Sequence, residues 1–104
     1  MKDRRRLGKA DREARRKGAE ELAVAALAFL AADPEEIGRF LALTGIGPES
    51  LRHAAREPGF LLGVIDFVMA DERLLVAFAE RSDIDPEDVA HAREALAGVP
   101  RVGL

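Results

Sequence analysis

Apolar residues along this chain recur at intervals of three and four, and no stretch alternates long enough for a half-buried strand. The pattern predicts an all-α domain, a bundle of five to six short helices with no sheet. Their expected places are near residues 19–32, 35–44, 48–56, 59–70, 72–82 and 86–97. Proline marks the starts. Asp33-Pro34-Glu35-Glu36 and Asp85-Pro86-Glu87-Asp88 each put an acidic cap before a first-turn proline and carboxylates behind it. The cap oxygen accepts from exposed amides, and early carboxylates suit the positive helix end. Gly47-Pro48 and Glu57-Pro58 are weaker versions, and Asp71 is the expected cap of a helix without proline. Gly45 and Gly98 stand where left-handed residues would close helices. The four prolines are spaced 14, 10 and 28 residues apart, too unevenly for a structural repeat.

Two segments are apolar almost all round. Leu22 to Ala32 contains no polar residue, and 60–70 is broken only by Gly63 and Asp66. Helices of that kind belong in the middle of a bundle. The others are amphipathic: Ile37, Phe40, Leu41 and Leu43 on the second, Leu74, Leu75 and Phe78 on the fifth, Val89, Ala92 and Leu96 on the last. They are expected to wrap the two apolar helices completely, or else to leave one apolar face open for a partner.

Charge adds a second feature. Residues 1–18 carry nine Lys/Arg against three acids, whereas the rest carries seven Arg against sixteen acids. The expected organisation is therefore a basic tail over 1–18, either flexible or a frayed helical extension, a helical domain over 19–98 and a short C-terminal tail over 99–104. Arg4, Arg5, Arg6, Arg12, Arg15, Arg16 and Lys17 are the candidate contacts to nucleic acid or an acidic partner. With no aromatic among them, base readout is not expected. Nothing apolar follows Arg4–Arg6 closely enough for a secretory signal, and an eleven-residue apolar run is short of the roughly twenty needed to span a bilayer. A cytoplasmic location is the expectation. The absence of cysteine excludes disulfides, thiolate metal sites and thiol catalysis.

Candidate chemistry is sparse. Thr44-Gly45-Ile46-Gly47-Pro48 resembles the turn of helix-hairpin-helix motifs, in which backbone amides receive a phosphate. The residues that follow are Glu49, Ser50 and Leu51, where that motif has small and basic ones, so a plain helix–helix connection is the simpler reading. Asp66 is the one charge in a very apolar helix and is expected as a structural buried polar group that caps a neighbour or pairs with an arginine. Gly59 and Gly63 lie near its face and would admit a close helix. His53 is flanked by Arg52 and Arg56, and His91 follows Glu87 and Asp88; both read as solvated surface residues. No phosphate loop or nucleophile motif is present, and neither a catalytic residue nor a metal or cofactor is expected.

From Ala26 onward the chain resembles an uncharacterised family of small bacterial proteins that carry a domain of unknown function. The residues that carry the resemblance include Ala26-Leu27-Ala28-Phe29-Leu30, Asp33-Pro34-Glu35, Arg39-Phe40-Leu41-Ala42-Leu43-Thr44-Gly45, Pro58-Gly59-Phe60-Leu61, Asp66-Phe67 and Ala70-Asp71-Glu72. It spans about residues 20–97 and implies a small helical protein, with no active site, ligand or partner to carry across. The expectation is a non-enzymatic helical interaction module, meeting a protein partner or a second copy through 20–32 or 59–70. The alternative is a nucleic-acid-associated protein using the basic tail and the Gly45–Pro48 turn. No small-molecule substrate is indicated.

Overall fold

The computed structural model describes residues 8–98. Arg4, Arg5, Arg6 and the segment 99–104 lie outside the described residues. Helix α1 runs Lys9–Ala31, α2 Pro34–Thr44, α3 Leu51–Ala54 behind a 3-10 turn at Pro48–Ser50, α4 Pro58–Met69, α5 Glu72–Ser82 and α6 Pro86–Ala97. There is no strand among the described residues.

The capping signals place most starts. Asp33 Oδ1 accepts from the amides of Glu35 at 3.0 Å and Glu36 at 3.4 Å, and Asp71 Oδ1 accepts from Arg73 at 3.0 Å. At α6, Asp88 reaches back: its Oδ2 accepts from the Asp85 amide at 2.9 Å. Each such bond satisfies an amide that the helix leaves orphaned. Gly45 closes α2 in the left-handed region at φ 74°. Gly98 does not do the same for α6. Its φ is −78°, and its amide reaches the Glu94 carbonyl at 2.7 Å. The left-handed end found instead is Asp83, at φ 57°, after α5.

The first helix starts ten residues earlier than its apolar pattern suggests, because 9–18 continue α1. Ala, Arg, Lys and Glu dominate that stretch, and all are good helix formers. Extending a helix already held by packing needs no new nucleus, so a segment unable to fold alone is helical here.

The core joins Ala23, Ala26, Leu27 and Leu30 of α1 to Phe40 of α2, Leu61, Val64, Ile65 and Val68 of α4, Leu74 and Phe78 of α5, and Val89, Ala92 and Leu96 of α6. Every fully buried side chain among the described residues is apolar. Edge-to-face rings tie α2 to α4: Phe40 lies 5.5 Å from Phe60 and 5.3 Å from Phe67, centroid to centroid. Phe29 and Phe78 join α1 to α5 at 5.5 Å. The Arg39 guanidinium covers the outer face of Phe67 while bonding Glu36, so a charged side chain seals an aromatic from water.

Helix α4 is central, as its composition predicts. Helix α1 is not buried all round: Val24 is 46% exposed, and Ala25, Ala28 and Ala31 also face outward. Leu43, expected on the inner face of α2, is 74% exposed near the end of that helix. The α4 glycines do not serve close helix contact either, since a Cβ at Gly59 or Gly63 would meet nothing within 4 Å.

Candidate functional site

The residues singled out by charge fall on different faces of α1. Lys9, Arg12, Arg15 and Arg16 turn toward α6, whereas Lys17 turns toward α3 and α4, beside Arg56 and Leu61. Helical spacing explains the split: 9, 12, 16 and 19 form one stripe, and 17, 21 and 24 another. The first stripe continues into Ala19 and Leu22 and forms one wall of a groove whose other wall is α6.

That groove has a volume of about 620 Å³ where Arg15, Gly18, Ala19 and Leu22 face Asp88, His91, Ala92 and Ala95. It continues for a further 380 Å³ or so where Lys9, Arg12 and Arg16 face Glu94 and Gly98. Rising numbers on α1 meet falling numbers on α6, so the two helices run antiparallel. The floor consists of small apolar residues, chiefly Ala19, Ala92 and Ala95, with Leu22 at one end. The α1 wall is basic apart from Glu13, and the α6 wall carries Asp88 and Glu94. Among the described residues, neither Arg15 nor Arg16 is paired with a carboxylate.

The other candidates are placed elsewhere. Asp66 is not buried. Its side chain is 45% exposed and pairs with Arg93, whose Nε donates to Oδ1 at 2.5 Å. Its neighbour is thus a guanidinium rather than a second acid. His53 and His91 are both exposed, and no group of three His, Asp or Glu among the described residues could hold a metal ion. At the Gly45–Pro48 turn the Glu49 carboxylate folds back over Gly47, so close that a Cβ there would meet its oxygens at 2.6 and 2.9 Å. A phosphate approaching those amides would meet a negative charge already in place. Leu51, anomalous for a phosphate-binding turn, packs against the core instead.

Sequence reasoning missed the α6 wall. Asp88, His91, Ala95 and Gly98 follow one another at three- and four-residue steps, with Glu94 beside Ala95, a signal available in the sequence. Nothing in the sequence says that this stripe lies beside the basic one. No helix among the described residues is long and apolar enough to cross a membrane. No curated protein and no solved structure matches the chain. A family model does match, over residues 16–99, and so covers the α6 wall and the whole apolar core but leaves Lys9, Arg12 and Arg15 of the α1 wall outside it; the chain belongs to the family described as protein of unknown function DUF3572.

Proposed function

We propose that the chain is a non-enzymatic interaction module, and that its docking surface is the α1–α6 groove. One observation carries this reading: a continuous groove along two helices, with a small-residue floor and opposite charges on its two rims. Small floor residues let another backbone approach closely, and rim charges select partners and set their register. The expected interface at 20–32 or 59–70 moves accordingly. Helix α4 is spent on the core, and the groove uses the start of α1 rather than its outward face at Val24, Ala25, Ala28 and Ala31.

The test is site-directed photo-crosslinking in living cells. A crosslinking phenylalanine analogue replaces His91 on the groove wall in one strain and the exposed Val76 of α5 in another. Discrete adducts at position 91 and none at position 76 support the reading. Adducts equally frequent at both positions, or absent at 91, overturn it.

A second reading is nucleic-acid association, favoured by Lys9, Arg12, Arg15, Arg16 and Lys17 on one continuous helix. It ranks lower because Asp88 and Glu94 line the same groove and would repel phosphates. Binding of this kind must fall steeply with salt and disappear when residues 1–18 are removed.

A further inference from the structure

We infer that the groove is occupied by a second copy of this chain, in a two-fold dimer whose axis runs parallel to α1 and α6. The inference rests on the groove being the docking surface and adds the identity and register of its occupant.

The α1 wall carries Arg12, Arg15 and Arg16, and the α6 wall carries Asp88 and Glu94, with an apolar strip between them. An acidic peptide or a nucleic acid would suit α1 and be repelled by α6. A basic ligand would meet the reverse conflict. The fitting occupant presents both signs, in the opposite left-to-right order, flanking a narrow apolar strip.

A second copy presents that arrangement under one symmetry operation only. When two such faces meet through a two-fold axis across the helices, α1 lies on α1 and cation faces cation. When the axis runs along the helices, α1 of each copy lies on α6 of the other and opposite charges meet at both rims. Rotation about that axis leaves height along the helices unchanged. Residues level with one another across the groove in one copy therefore face one another between copies. Arg15 of one copy meets Glu94 of the partner, and the reverse contact follows by symmetry. Because α1 and α6 are antiparallel within a chain, the four helices form a bundle in which each neighbour is antiparallel. In that arrangement the half-buried Leu22 and Ala95 of each copy close over the floor, where Ala19 and Ala92 are already buried.

The size of the face sets the strength. Residues 9–22 of α1 span about 20 Å at 1.5 Å per residue, and two adjacent helices present a face about 20 Å wide. About 400 Å² per copy lies below the standard interface of about 800 Å² a side, so the dimer is transient and depends on its charges.

Sedimentation velocity on the full chain, from about 20 μM to about 1 mM at about 50 mM salt, should show a monomer–dimer equilibrium that shifts to monomer at about 0.5 M salt. Arg15→Glu or Glu94→Arg alone should weaken dimerisation at least about tenfold, and the double variant should recover to within about threefold of the parent. Both residues are exposed, and an unchanged helical circular dichroism spectrum verifies that each variant folds. A strict monomer at every concentration, or a double variant no better than the singles, overturns the dimer. Crosslinks from position 91 that reach only a different protein also overturn it and leave the interaction reading standing. An absence of crosslinks removes both.

Discussion

Arg93 of α6 donates from Nε to Oδ1 of Asp66 on α4, across 27 residues of sequence. It joins the helix that carries the acidic groove wall to the helix at the centre of the core. Both side chains remain nearly half exposed, at 43% and 45%. Water still solvates the pair, so its net worth is expected to be about 1 kcal/mol or less. Arg93→Met should lower unfolding stability by no more than that in urea titrations. A loss of several kcal/mol would show instead that the pair organises the α4–α6 contact.

The aromatic junction is the opposite case. Phe40 is 2% exposed and meets the rings of both Phe60 and Phe67. Phe40→Ala removes a large apolar volume that its neighbours can refill only in part, so it should cost about 3–5 kcal/mol. In a domain this small such a loss consumes most of the expected stability. Thermal denaturation should show a large fall in midpoint, or an unfolded chain.

Two positive φ angles predict opposite signs. Gly45 closes α2 at φ 74°, where an L side chain is strained although no atom crowds it. Gly45→Ala should cost about 1 kcal/mol. Asp83 already bears that strain at φ 57° after α5. Asp83→Gly relieves it, and after the entropy of glycine is counted should gain about 0.5 kcal/mol. Chemical denaturation of the two variants checks the signs; a gain at 45 or a loss at 83 would contradict these backbone assignments.

Glycines inside and just beyond helices separate in the same way. Gly38 lies within α2, and an added Cβ would meet no atom within 4 Å. Gly38→Ala should stabilise by about 0.5–1 kcal/mol, a rise of several degrees in midpoint for a domain of this size. At Gly98 the added Cβ would lie 2.9 Å from the Glu94 carbonyl oxygen. Gly98→Ala should therefore lower the midpoint, and the pair of melting curves should diverge in opposite directions from the parent.

Much of the fold was legible in the sequence because its helices start with local chemistry. An Asp before Pro34 or before Glu72 competes only for the next few amides, and that competition involves no distant residue. The all-apolar run in α4 likewise had one destination, the centre of the bundle. Signals that depend on a neighbour were less legible. Residues 9–18 look unable to order themselves, and they are helical because α1 continues into packed residues beyond them. Gly98 looks like a left-handed cap, yet α6 ends in a right-handed turn. Leu43 fits the apolar stripe of α2 but lies where no other helix covers it.

The candidate site divides along the same line. The sequence by itself determined the helical class, the starts marked by Asp33, Asp71 and Asp85, the central place of α4 and the concentration of positive charge before Ala19. All of these follow from contacts within a few residues or from hydrophobic periodicity. Only the tertiary structure decided that the basic stripe of α1 lies antiparallel to the stripe bearing Asp88 and Glu94, that Arg93 reaches Asp66, and that Glu49 covers the Gly45–Pro48 turn. Helix periodicity shows which residues share a face but not which helix that face meets. That choice is made by packing the whole core at once, so a groove built by two distant helices is visible only after the chain has folded.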